Sequence, residues 1–252
     1  LAPVYRQQLL KGLKERDTSP WKDGRDGSGS PATSAEALRK YASNRWESVL
    51  HCMVAPAHES SARPERGWKP TKEVNQLLMR ETPRGALMKD GMDEDGYSGA
   101  KITAQGFQFL LRPLRAQVWQ LLVDAIEVKS KELGTTKSHL LICLFQLSFC
   151  IVGVGYSFDN LSHAQQKFVH MLGHIGAVFV DGPSSRTFWP TQLVVNLCWE
   201  DKGVQDTSLP DRTSGEGKCI IVETNYRLYA YTNSALQEQV LRLFSQLQYR
   251  LP

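Results

Sequence analysis

LLICLFQLSFCIVGVGYSFDNLSHAQQKFVHMLGHIGAVFVDGPSSRTFWPTQLVVNL, residues 140–197, is the stretch on which the fold turns. Its first part, residues 140–154, is almost wholly apolar and reads as a helix hydrophobic nearly all round, which places it at the centre of a domain. Ser162 and Gln165 then have the spacing of a capping box, and Phe168, Met171, Leu172 and Ile175 repeat at helical intervals behind it. Residues 177–180 and 187–197 read as two strands, joined by a short wing through Asp181, Gly182 and Pro183. Immediately upstream, Val118, Leu122, Ala125 and Ile126 mark one more helix. Three helices and a hairpin over residues 113–198 make a winged-helix-like domain.

The same rhythm stands earlier in the chain. Thr33 and Glu36 have capping-box spacing, and Leu38, Tyr41, Ala42, Trp46, Val49, Leu50 and Met53 follow at helical intervals, predicting a long amphipathic helix over residues 34–54. Residues 71–80 predict a shorter helix with Val74, Leu77 and Leu78 inward. Residues 85–89 and 100–111 read as extended. Together these define a first winged-helix-like domain, residues 34–112. Past the second domain the pattern changes. Residues 219–223 and 226–231 are strand-like around Thr224 and Asn225, and a helix capped near Ser234 carries Leu236, Val240, Leu243, Phe244 and Leu247. Residues 219–252 are therefore the start of an α+β module. The expected fold class is mainly α with small β wings: tandem winged-helix-like domains followed by that module.

Three stretches rich in Gly, Pro, Ser and charge interrupt the pattern: residues 17–33, 56–70 and 199–218. They read as loops or disordered insertions, so residues 1–33 are expected to be an N-terminal helix and flexible linker, and residues 199–218 a disordered loop. The length, 252 residues with 41% hydrophobic content, suits two or three small domains. A net charge of +4 steers only weakly toward phosphate and demands no nucleic-acid partner. The five cysteines, Cys52, Cys143, Cys150, Cys198 and Cys219, form an odd set without a C-x-x-C pair, which points to reduced, buried thiols in a cytosolic or nuclear protein. The apolar run is about one helical turn short of a bilayer span and carries Gln146 and Ser148, so no membrane helix is expected.

No catalytic constellation emerges. Gly215, Gly217 and Lys218 resemble a phosphate loop, but Arg212 stands where its first glycine belongs and Cys219 where its hydroxyl belongs. Asp93, Glu94, Asp95 and Gly96 resemble a calcium loop whose first and last positions, Gly91 and Ile102, offer too few oxygens. His163, Lys167, His170 and His174 share one helix face. His170 and His174 lack the intervening Glu of H-E-x-x-H, so neither metal nor cofactor is expected there. That face reads as solvated; alternatively it is a recognition helix whose imidazoles and Lys167, with Arg186 in the wing, meet phosphate.

Residues 220–232, IIVETNYRLYAYT, carry a more specific signal. This string closely resembles a segment of the fifty-two-kilodalton core subunit family of general transcription factor TFIIH. LAPVYRQQL at Leu1, RKYASNRWESVLHCMV at Arg39, ITAQGFQFLL at Ile102, CLFQLSF at Cys143 and FWPTQLVVNL at Phe188 resemble that family's blocks in the same order, so the resemblance spans nearly the whole chain. Family members are longer. The resemblance implies that their first helical modules and most of the C-terminal part, which pairs with the smallest TFIIH subunit, are not represented here.

The resemblance implies a non-catalytic, nuclear subunit of the TFIIH core that anchors the XPB helicase and stimulates its ATPase in transcription initiation and nucleotide excision repair, in contact with other core subunits. In that family the ETNYR stretch grips XPB, which points to Glu223, Tyr226 and Arg227, with Tyr229 and Tyr231 beside them. If Ile220, Val222, Leu228 and Ala230 face a core, strand alternation turns the charged and aromatic residues elsewhere. Equally, the tyrosines can be packing residues and Glu223 with Arg227 a surface pair. The family's second wing is richer in basic residues than this one, where Arg186 stands alone, and this weakens the case for direct DNA contact. Two alternatives remain at this point: a winged-helix module that binds duplex DNA directly, and an enzyme with an unfamiliar site.

Overall fold

The computed structural model describes residues 34–54, 70–92, 98–182, 185–195, 197, 219–232, 235–243 and 245. The expectations for residues 1–33 and 199–218 and for the caps at Thr33 and Ser234, and the calcium-loop-like residues Asp93, Glu94, Asp95 and Gly96, lie outside them. The described chain is mainly helical with small antiparallel sheets, and it falls into two compact units. One combines residues up to Ala42 with Val118–Lys202; the other combines Ser43–Gln117 with the chain from Gly203 onward. Two helices, α1 (Ala35–Val54) and α4 (Leu114–Glu132), each contribute to both.

The first unit is organised by α5 (Lys137–Ser148) and α6 (His163–His174) with the second part of α4. Thr136 caps α5 by accepting from the His139 amide. Both halves of the predicted capping box are present on α6: Ser162 Oγ accepts from Gln165 N–H at 3.3 Å, and Gln165 Oε1 accepts from Ser162 N–H at 3.0 Å. Phe168, Val169, Met171, Leu172 and Ile175 are buried behind it, as their spacing requires. Strands β3 (Tyr156–Ser157), β4 (Val178–Val180) and β5 (Thr187–Pro190) form a sheet in the order β3-β5-β4, with Tyr156 opposite Phe188 and Phe179 opposite Trp189. Phe188 is fully buried between Tyr156 and Phe158, with ring centroids at 6.0 and 4.9 Å. Tyr41 of α1 fastens to the same unit: its hydroxyl donates to Gly173 O at 3.0 Å and its ring meets Phe179 edge-on at 5.0 Å.

Three expectations need correction here. The sheet has three strands rather than a two-stranded wing, because two residues, Tyr156 and Ser157, suffice to add β3. The last strand stops at Pro190 rather than near Leu197. Thr191 diverts the chain: its buried hydroxyl donates toward Gly176 O and Ala177 O and accepts from Leu193 N–H, starting a turn. Nor is α5 central on every side. Leu140, Cys143, Leu144 and Leu147 are buried, whereas Ile142, Phe145 and Phe149 face outward in an exposed apolar stripe.

In the second unit, Trp46, Val49, Leu50 and Met53 of α1 are buried together with Val74, Leu77 and Leu78 of α2 (Lys72–Leu78). Strands β1 (Met88–Met92) and β2 (Ser98–Ile102) pair antiparallel, Met88 against Ile102. Residues 100–111, expected to be extended, are so only as far as Ile102; Ala104–Leu110 form helix α3. Thr103 makes the switch. Its hydroxyl accepts from Gly106 N–H, capping the helix, and donates to Ala86 O. Gln117 closes the far end, donating from Nε2 to Phe109 O and Leu110 O at 3.1 and 3.0 Å. From the C-terminal part of the chain come β6 (Cys219–Val222), β7 (Leu228–Tyr231) and α7 (Ala235–Arg242), on which Leu236 is buried.

Candidate partner-binding hairpin

Strands β6 and β7 pair antiparallel, with Ile220 opposite Ala230, Ile221 opposite Tyr229 and Val222 opposite Leu228. Directly opposed residues share a face, so Ile220, Val222, Leu228 and Ala230 stand on one side, and Ile221, Tyr229 and Tyr231 on the other. The strand turns earlier than expected. Glu223 N–H donates to Arg227 O at 2.9 Å and Tyr226 N–H to Glu223 O at 3.1 Å, so Tyr226 belongs to the loop rather than to a strand. Asn225 knits that loop: its Nδ2 donates to Glu223 Oε2 and its Oδ1 accepts from Arg227 N–H, both at 3.0 Å.

The condition that Ile220, Val222, Leu228 and Ala230 face a core is not met among the described residues. Ile220 is 56% exposed and Val222 68%, and Ala230 is exposed too. Tyr229 and Leu228 are half-buried, Tyr231 is 53% exposed and Tyr226 97%. Ile220 and Val222 thus stand exposed on the same side of the ribbon, with Glu223 and Arg227 at its tip. Such a surface gains free energy on covering, at about 25 cal/mol per Å² of apolar area removed from water. The structure thus brings Glu223, Tyr226 and Arg227 together in one turn and sets Tyr229 and Tyr231 along the adjoining strand. Asn225 was named in the sequence as part of the turn but not as a site residue. Its signal was available, since Asn in a short loop between strands commonly bonds its own backbone two residues on.

The histidine face has a different character. His163 and Lys167 are exposed on α6, and His174 is half-buried. His170 lies flat on Phe158, with ring centroids 4.7 Å apart and planes within 6°. Desolvation there lowers its pKa below the usual histidine value, which keeps the ring neutral near pH 7. It packs against an aromatic rather than presenting a cation. Phe158 N–H donates to Arg186 O at 2.9 Å, so the Arg186 backbone belongs to the same neighbourhood while its side chain is exposed. Among the described residues no three His, Cys, Asp or Glu side chains are grouped to hold a metal ion. Cys143 and Cys150 are buried and form no disulfide; burial, with the neighbouring Cys150 charge, pushes the Cys143 pKa up to about 12, so it stays a thiol. No described helix is long and apolar enough to cross a membrane.

Comparison with known proteins matches residues 1–252 to the family described as Transcription factor Tfb2. General transcription factor IIH subunit 4 of Dictyostelium discoideum is 33% identical over 225 residues, covering 87% of this chain and 43% of that protein. The General transcription and DNA repair factor IIH subunit TFB2 of Arabidopsis thaliana is 28% identical over 253 residues, covering 100% of this chain and 51% of its own length. Its namesake in Yarrowia lipolytica is 34% identical over 224 residues, 84% of this chain and 44% of that protein. The chain therefore spans about half, or somewhat less, of the relatives it matches. With a family match running from the first residue to the last, the chain belongs to the Tfb2 family of transcription factors.

Proposed function

We propose that this chain is a non-catalytic scaffold of the TFIIH core that anchors the XPB translocase through the β6–β7 hairpin and stimulates its ATPase. It would serve RNA polymerase II transcription initiation and nucleotide excision repair in the nucleus, alongside other core subunits. The observation that carries this reading is the hairpin surface itself: Ile220, Val222, Tyr226 and Tyr231 are all more than half exposed on one short ribbon. Exposed aliphatic side chains on one side of the ribbon, a tyrosine on the other and another in the loop, with Glu223 and Arg227 at the tip, have the composition of a protein interface. The names of the relatives, general transcription and DNA repair factor subunits, supply the setting.

Residues 34–112 and 113–198 are two winged-helix-like modules in this account, used to dock protein neighbours rather than to grip DNA. In support, helices precede each small sheet, and the stacked, neutral His170 removes one cation from the face that would meet phosphate.

Calorimetric titration of this chain with the N-terminal region of XPB tests the proposal, using Glu223→Lys with Arg227→Glu as the paired variant. Reversing both rim charges is expected to weaken binding at least about tenfold while leaving the circular dichroism spectrum unchanged. Equal binding by the variant would place the contact elsewhere, and no binding by the parent chain would refute the anchoring role.

A further inference from the structure

Tyr226 has φ 65°. This is left-handed backbone, where a bulky side chain is an outlier. The loop around it has the three-residue hairpin form, closed by the bonds between Glu223 and Tyr226 and between Glu223 and Arg227. In that form the left-handed position is ordinarily filled by glycine, the residue without a steric penalty there. A tyrosine is therefore disfavoured by its own backbone.

Nothing within the described chain compensates for it through packing, because the residue is 97% exposed. The conformation is held instead by polar contacts on either side. Asn225 ties Glu223 Oε2 to the Arg227 amide, and both bonds run through a residue that itself tolerates the turn. Strain that the folded chain does not use marks a candidate functional position. A tyrosine ring is an economical anchor: it is large and apolar in body, and it loses few torsions on immobilisation. As the last residue of the loop that Glu223 and Arg227 close, almost fully exposed, it has the layout of an aromatic centre with a polar rim.

We propose that Tyr226 is the anchor residue of the hairpin, presented by a strained turn so that its ring enters an apolar pocket on the partner protein. The inference rests on the XPB reading above and adds what that reading lacks: one side chain that dominates affinity, and a turn that sacrifices local stability to display it. Glycine or asparagine at this position relieves the backbone and removes the ring, so affinity and hairpin stability should move in opposite directions.

Three variants separate the possibilities: Tyr226→Phe, Tyr226→Gly and Tyr226→Asn, each titrated calorimetrically against the XPB N-terminal region. Amide exchange at Ile221 and Tyr229 reports the state of the hairpin in each. Tyr226→Phe is expected to bind within about threefold of the parent, and the Gly and Asn variants at least about tenfold more weakly, with exchange equal to or slower than the parent's. Binding by the Gly and Asn variants within about twofold of the parent overturns the anchor and leaves the XPB reading standing. Loss of affinity together with faster hairpin exchange also overturns it, because the ring would then be holding the hairpin. A parent chain that does not bind at all takes down the XPB reading and this inference with it.

Discussion

Gly106 has no side chain because its surroundings leave no room for one: a Cβ there would lie 2.1 Å from the Leu87 carbonyl oxygen and 2.7 Å from Ile102 Cγ1. The first of these is backbone and cannot swing aside. Gly106→Ala is expected to destabilise the protein by about 2–3 kcal/mol in urea unfolding, whereas Gly99→Ala, with open space around it, should change stability by less than about 0.5 kcal/mol. Equal effects at the two glycines would show that the packing around α3 is looser than described. His170 gives a pH dependence whose sign follows from its burial. With its folded pKa lowered below the unfolded value near 6.5, the unfolded chain binds more protons once pH falls below that value. Its contribution to stability is therefore full above pH about 6.5 and declines as pH falls toward the folded pKa. Melting curves at pH 7 and pH 5 should diverge less for His170→Gln than for the parent chain. An unchanged divergence would assign the slope to other groups.

Legibility differed between elements for physical reasons. The α6 helix was readable in full, since Ser162 and Gln165 cap it locally and Phe168, Met171 and Leu172 show its buried face by spacing alone. Helix α3 was not. Phe107, Phe109 and Leu111 alternate like a strand, and the deciding contact, Thr103 with Ala86 O, joins residues 17 apart in sequence. Thr103→Val removes both the cap and that bond, and is expected to cost about 1–2 kcal/mol in urea unfolding. A neutral effect would mean that the strand-to-helix switch is set by something other than this hydroxyl. For α5, composition foretold the hydrophobic girth but not its orientation, because a helix apolar on all sides carries no pattern that distinguishes Leu144 from Phe145. In the hairpin the strands were legible from alternation and the loop was not. Periodicity does not report that Tyr226 takes the left-handed position.

At the scale of the molecule, the chain is a set of small packed units whose described surface includes two groups of exposed apolar side chains: the Ile142, Phe145 and Phe149 stripe at α5, and the β6–β7 ribbon. The residue pattern marked the ribbon's two strands, the resemblance pointed to its turn, and one side was considered as facing a core because a hydrophobic strand ordinarily has something to cover it. That the cover is missing from the described chain is what gives the ribbon its proposed role. Hydrogen–deuterium exchange of this chain, with and without the XPB N-terminal region, reads that role most directly. Exchange over residues 220–231 is expected to slow at least about tenfold in the complex, with the α5 stripe unchanged. Protection confined to α5 or α6, with the hairpin exchanging as freely as before, would contradict it.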